Sequence, residues 1–239
     1  MNIFYFKNIK INNIIIFDKE EYKHIIALRI NKYDSIYLTD GTGNLYKGYV
    51  SDFSFKKVYI YVDKHIKNCK PKYTINIGIS IIKNMSRFRW FLEKSTEIGV
   101  NNITPIITDY TQLKTINNID KYNKILISAI KQSNQTFKPH INNVVKYQDF
   151  IDQAFNDQIK NNQFNYIAHN KSIENSYLSD TYQKNSSVLI VIGPEGGFTD
   201  KEYLYAIKKK FLGIKICNNI LRTETSGIAV LLELLLINR

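Results

Sequence analysis

Two segments toward the carboxyl-terminal end bring chemically capable side chains close together: Gly193-Pro194-Glu195-Gly196-Gly197 and Leu221-Arg222-Thr223-Glu224-Thr225-Ser226-Gly227. The first follows an apolar run at 187–192 and leads into Phe198, with Thr199 and Glu202 spaced as a T-x-x-E capping box. Strand, stiff Gly/Pro loop and helix in that order make a ligand-binding edge in open α/β sheets, where glycines let a ligand touch the backbone. No Gly-Lys-Ser/Thr follows the loop, and it is not G-x-G-x-x-G. A phosphate or dinucleotide cradle is therefore disfavoured, and a ligand without phosphates fits better. The bland alternative is a plain tight turn.

The second segment leads from a short strand through a loop into a helix. A carboxylate at that helix start, Glu224, is favoured by the helix dipole, whereas a guanidinium, Arg222, is not. Arginine is also scarce, 5 residues against 28 lysines. A lysine-rich chain keeps arginine mainly where a planar, bidentate donor is needed, which singles out Arg29, Arg87 and Arg222. The alternative is that Arg222 simply pairs with Glu224 or Glu195. Metal chemistry is not indicated: Cys69 and Cys217 lie far apart, and His24, His65, His140 and His169 form no H-x-x-x-H pair.

The elements that position these residues fall into two textures. Residues 1–72 read as closely spaced short strands (34–39, 45–51, 56–62) with one helix at 20–30 and a Gly-rich turn at Asp40-Gly41-Thr42-Gly43-Asn44, which suggests a small barrel. Residues 73–239 alternate strands (73–82, 103–108, 165–169, 187–192, 213–217) with helices (86–98, 121–132, 148–158, 172–183, 200–210, 223–237), the pattern of a parallel α/β sheet. In the helix at 86–98, Phe88, Phe91, Leu92, Ser95 and Ile98 share one face. Trp90 beside that stripe reads as packing rather than a base-stacking platform, and His24 reads as structural.

The net charge of +12 suggests a polyanionic partner, although a general lysine bias would also produce it. The surplus is densest in the first 72 positions, with 13 basic against 7 acidic residues. The amino-terminal stretch does not read as a signal peptide, and the apolar run at 228–237 is short and contains Glu233, so a cytoplasmic protein without a membrane span is expected.

The combination V-I-G-P-E-G-G-F-T-x-x-E followed by I-L-R-T-E-T-S-G resembles the ribosomal RNA small subunit methyltransferase E (RsmE) family. Further similarity runs through Lys83-Asn84 with Arg87, Trp90 to Gly99, Ile103-Thr104-Pro105, Ala129-Ile130-Lys131-Gln132-Ser133, the segment from His24 to Arg29, and Asp40-Gly41 with Tyr46. The resemblance implies methylation of N3 of one uridine in 16S ribosomal RNA (position 1498 by the family's convention) with S-adenosyl-L-methionine as cofactor. It also implies a PUA-like β-barrel at 1–72, a trefoil-knotted SPOUT domain at 73–239, and a homodimer acting on the small ribosomal subunit.

On that resemblance the cofactor is held by Ala168, His169, Ile192, Gly193, Pro194, Gly196, Gly197, Ile216, Cys217, Ile220, Leu221 and Thr223. Arg222 is given the electrostatic role in catalysis, and Glu224 or Glu195 a positioning or proton-accepting one; the competing view is that both carboxylates only shape the loops. RNA contacts are expected from Arg29, Lys83, Arg87, Lys94 and Gln132, although Lys94 could instead pair with Glu93 or Glu97, and Arg29 could lie along its helix. The chain departs from the family pattern at Thr111-Gln112-Leu113, where S-E-R is usual, at Asn134-Gln135, at Ile216-Cys217 in place of L-G, and at Asn219-Ile220, where an arginine is common. The lost basic residues bear on RNA affinity more than on cofactor binding. Two other readings share these residues: a non-enzymatic RNA-binding assembly factor, and a SPOUT methyltransferase with another RNA target.

Overall fold

The computed structural model describes residues 2–69, 71–116, 119–161, 163–169 and 176–239. The chain divides into two units, Met1–Pro71 with Ile130–Lys138, and Lys72–Ala129 with Pro139–Arg239.

Alternating apolar residues make the first unit a sheet. Its elements are β1 (Ile3–Tyr5), β2 (Ile14–Phe17), α1 (Lys19–Ala27), β3 (Ser35–Thr39), β4 (Asn44–Ser54) and β5 (Lys57–Asn68). The strand order is β1-β3-β4-β5-β2, antiparallel except for β1 against β3. Ile36 and Leu38, Val58, Ile60 and Val62, and Ile15 and Phe17 alternate into one core with Phe4, Ile25 and Val50. β4 runs past 51 to a two-residue turn at Phe55 and Lys56, both residues left-handed (φ 48° and 59°), and β5 runs past 62 to Asn68, where it pairs with the start of β4. Two consecutive left-handed residues match the twist of a hairpin. α1 stops at Ala27, short of the expected residue 30, where Arg29 turns left-handed (φ 56°) and the Ile30 N–H donates back to the Ile25 carbonyl at 3.2 Å. The Gly-rich turn is held from two sides: the Tyr46 hydroxyl donates to Asp40 at 3.1 Å, and the Thr136 carbonyl accepts from Thr39 Oγ1 and the Gly43 N–H.

The second unit runs β6 (Ile75–Ser80), α2 (Met85–Ile98), β7 (Asn102–Ile107), α3 (Ile119–Ser133, whose last residues from Ile130 belong to the first unit), β8 (His140–Ile141), β9 (Val145–Lys146), α4 (Tyr147–Asn161), β10 (Phe164–Ala168), α5 (Leu178–Thr181), β11 (Val188–Ile192), α6 (Asp200–Lys208), β12 (Leu212–Ile214) and α7 (Thr223–Ile237). All its strands pair in parallel, in the order β12-β10-β11-β6-β7-β8, with β9 also on β7. Helices cover both faces, so β11 is apolar at every position. Val188, Ile190 and Ile192 face the core shared with α2 and α7, while Leu189 and Val191 face the core shared with α4 and α6.

Two expected elements are shorter than their patterns. Of the helix expected at 172–183, residues 172–175 lie outside the described residues, and among the described ones the helix is α5 alone. The strand expected at 213–217 ends at Ile214, level with the end of its partner β10 at Ala168, and beyond it the Lys215 N–H donates instead to the Ser176 carbonyl at 2.9 Å. Among the described residues no helix is long and apolar enough to cross a membrane.

Candidate functional site

Three neighbouring strands end level with one another. Ala168 pairs in register with Ile192 on one side and Ile214 on the other, so the chain leaves β10, β11 and β12 at one edge of the sheet. The loops beyond these ends carry the residues assigned to the cofactor. His169 follows Ala168, and its N–H donates to the Ile214 carbonyl at 3.0 Å. Gly193, Pro194, Gly196 and Gly197 follow Ile192. Ile216, Cys217, Ile220 and Leu221 lie between β12 and α7, where the Cys217 thiol donates to the Asn219 carbonyl. Thr223 joins the two carboxyl-terminal loops directly, its Oγ1 donating to the Gly193 carbonyl at 3.0 Å.

The glycine loop is a tight turn built around two close approaches. The Gly197 N–H donates to the Pro194 carbonyl at 2.8 Å, and Gly197 is left-handed (φ 74°). A Cβ on Gly193 would meet the Phe198 ring at 3.1 Å, and one on Gly196 would meet Tyr110 at 3.2 Å; a Cβ on Gly197 would meet nothing within 4 Å. The loop is thus packed from below and open at Gly197.

Glu202 sets the angle at which this loop leaves the sheet. The capping box is present: Thr199 Oγ1 accepts from the Glu202 N–H, and Glu202 Oε2 accepts from the Thr199 N–H at 2.8 Å. Its other oxygen accepts from the Asp109 N–H at 2.9 Å, tying in the loop after β7. In that loop Thr111 is buried and bonds Ser80 and Thr108. The Tyr147 hydroxyl donates to the Glu202 carbonyl, and burial pushes the Tyr147 phenol far above its usual pKa, so it stays a neutral donor.

The second half of the site lies where α2 and α7 begin. α7 lies close against α2 because residue 227 is glycine: a Cβ there would meet the Phe91 ring at 2.5 Å. Asn84 caps α2, its Oδ1 accepting from the Ser86 and Arg87 N–H groups, and Arg222 occupies the N-cap of α7. Between the two helix starts is a cavity of about 380 Å³ lined by Asn84, Ser86, Arg87, Trp90, Arg222, Glu224 and Thr225. Glu224 is buried there. Its Oε1 lies 3.6 Å from Arg87 Nε, and its Oε2 has no hydrogen-bond partner.

Arg222, Arg87 and Glu224 are thus brought together, but not as the pairing of Arg222 with Glu224 or Glu195. Arg87 takes the carboxylate, and Arg222 is exposed with no ion pair among the described residues. Glu195 is exposed at the tip of the glycine loop and does not line this cavity. Lys83 is exposed just before α2. Lys94 is held by Glu93 at 2.9 Å and Glu97 at 2.8 Å, and these hydrogen bonds raise its pKa. Arg29 and Gln132 are exposed residues of the first unit, Arg29 lying past the end of α1 rather than along it.

Trp90 corrects the reading from periodicity. It is 44% exposed and lines the cavity, while Phe88, Phe91 and Leu92 around it are fully buried. Thr225 and Ser86 also line the cavity without having been singled out; their place at paired helix starts was the available signal. Among the described residues no group of three or more His, Cys, Asp or Glu side chains could hold a metal ion.

Residues 69–234 match the family model for an RNA methyltransferase domain. The ribosomal RNA small subunit methyltransferase E of Buchnera aphidicola from Schizaphis graminum is 30% identical over 95% of this chain and 92% of its own. A solved structure of a probable rRNA-methyltransferase from Porphyromonas gingivalis superposes with a TM-score of 0.87 at 28% identity, covering 100% of both chains. The fold is also that of the ribosomal RNA small subunit methyltransferase E from Neisseria gonorrhoeae, solved bound to S-adenosyl methionine, with a TM-score of 0.85 at 22% identity over 98% of this chain and 96% of that one.

Proposed function

Because the chain belongs to the ribosomal RNA small subunit methyltransferase E family of RNA methyltransferases, we propose that it methylates N3 of one specific uridine in 16S ribosomal RNA, using S-adenosylmethionine. The observation that carries this reading is the level ending of β10, β11 and β12 at Ala168, Ile192 and Ile214, with the Thr223–Gly193 hydrogen bond closing the loops above them.

The residues present fit the cofactor. It has no phosphates, and this edge offers backbone groups, the apolar side chains of Ile216, Ile220 and Leu221, and an open face at Gly197 rather than a phosphate loop. Ala168, His169, the Gly193–Gly197 loop, Ile216 to Leu221 and Thr223 would hold it. S-adenosylmethionine, when bound, supplies an electrophilic methyl group on a positively charged sulfur.

The chain's own residues must then present N3 of uridine in line with that methyl group, and orientation of this kind supplies roughly 7–11 kcal/mol of barrier reduction. N3 carries a proton that must leave. Glu224 Oε2, buried and unpartnered, accepts it, while Arg87 holds the other carboxylate oxygen. Arg222 and the starts of α2 and α7 stabilise the uridinate charge as it develops. Glu195, exposed outside the cavity, shapes the loop. Lys83, Arg87 and Lys94, with Arg29 and Gln132 on the first unit, contact the RNA.

The first unit acts as the PUA-like barrel that binds RNA, and the carboxyl-terminal loops of the second form the SPOUT knot, a reading supported by the all-parallel sheet and the crossing order β12-β10-β11-β6. The protein works in the cytoplasm as a homodimer, supported by the outward leucines Leu232, Leu235 and Leu236 of α7. Mass spectrometry of 16S RNA from cells lacking the protein is expected to show loss of 3-methyluridine; its retention overturns the assignment. In the purified protein, Glu224→Gln is expected to keep S-adenosylmethionine affinity and lower single-turnover methylation at least about 100-fold. An unchanged rate removes Glu224 as proton acceptor.

A further inference from the structure

We infer that the cavity between the starts of α2 and α7 takes the target base itself, stacked on Trp90, and that the polar groups around it select uracil over cytosine. This rests on the methyltransferase reading above. Trp90 is the single tryptophan of the chain and is 44% exposed, on the side of α2 that it shares with exposed Ser86 and half-buried Arg87 rather than with the buried stripe of Phe88, Phe91 and Leu92. An indole left half uncovered beside two arginines is a surface on which a planar base stacks, and enzymes that modify a base in RNA take it out of its stack into such a pocket.

The hydrogen-bonding groups match one base edge. Glu224 is buried with its side chain 7% exposed, and its Oε2 is an acceptor without a donor. A buried orphan acceptor is costly unless a ligand supplies its donor. Asn84 spends its Oδ1 on capping α2, which leaves its amide NH2 for a ligand. Arg222 has no ion pair among the described residues, so its guanidinium also offers donors. Two donor groups and one acceptor lining the same cavity complement the O2, N3–H and O4 edge of uracil. Cytosine places an unprotonated N3 against the carboxylate, two acceptors facing each other, so the same carboxylate that takes the N3 proton also rejects the wrong pyrimidine.

Because Trp90 is the only tryptophan, its emission reports stacking directly. Protein-free 16S RNA from cells lacking the modification, titrated without cofactor, is expected to quench the emission saturably. The same RNA with cytidine at the target position is expected to quench it several-fold less. With small subunits from those cells as substrate, Trp90→Phe is expected to keep methylation within about threefold, whereas Trp90→Ala raises KM about 10- to 100-fold at unchanged cofactor affinity, the size of a lost base-stacking contact. RNA binding seen by anisotropy without quenching overturns the inference. So does a Trp90→Ala protein with wild-type KM and kcat, or one whose only change is in sedimentation, which would assign Trp90 to contact with a second copy. Failure of the wild-type protein to methylate any RNA counts against the methyltransferase reading instead, and quenching by uridine RNA would still stand as base stacking.

Discussion

Glu202 receives both the Thr199 and Asp109 backbone N–H groups on a side chain only 7% of whose residue surface is exposed, and so fixes the glycine loop to the loop after β7. Glu202→Gln keeps the shape but turns one acceptor into a donor facing an N–H. The expected result is a loss of about 1–3 kcal/mol in thermal unfolding together with roughly tenfold weaker S-adenosylmethionine binding by calorimetry. Normal cofactor affinity in a destabilised protein would confine Glu202 to the fold. Half of this arrangement is legible in the sequence: T-x-x-E marks the capping box. The Asp109 bond is not, because it joins loops far apart in the chain. Trp90 is hidden for a related reason. Its spacing places it beside an apolar stripe, and periodicity does not say how far other elements cover that side of α2.

The strand and helix order of the second unit follows from alternation and helical period almost throughout, and α2, α6 and α7 begin within a residue of where their patterns place them. β12 departs from its pattern because its length is set by where the neighbouring β10 ends rather than by its own residues. The Phe55–Lys56 turn escapes notice because left-handed hairpin turns are signalled by Asn-Gly, and here two bulky residues adopt that geometry. Helix packing is also invisible in periodicity. Gly227 sits in α7 as an apparent weakness, yet it is what lets Phe91 of α2 approach. Gly227→Ala gains helix propensity of nearly 1 kcal/mol but inserts a Cβ against that ring. Overpacking costs about 1–3 kcal/mol, so a lower melting temperature is expected, partly restored by Phe91→Leu. A rise in melting temperature would show that α2 and α7 yield easily.

At the scale of the molecule, α7 is apolar on both sides. Its inner face is core, and Leu232, Leu235 and Leu236 stay outward at 43%, 36% and 57% exposure. In the proposed dimer these leucines meet a second copy, and Leu236→Glu is expected to sediment as a monomer; an unchanged dimer places the contact elsewhere. With a surplus of +12, the proposed RNA complex is expected to weaken steeply with added salt, as a titration at several salt concentrations would show. The level ending of β10, β11 and β12 has a kinetic meaning as well. Its parallel pairings, Ala168 with Ile192 and Ala168 with Ile214, join residues 24 and 46 positions apart, and no hairpin can nucleate them locally. This edge therefore forms only when strands separated by intervening helices and loops come together. Once it is formed, a ligand bound there should slow amide hydrogen exchange together in segments that the chain visits at widely separated times.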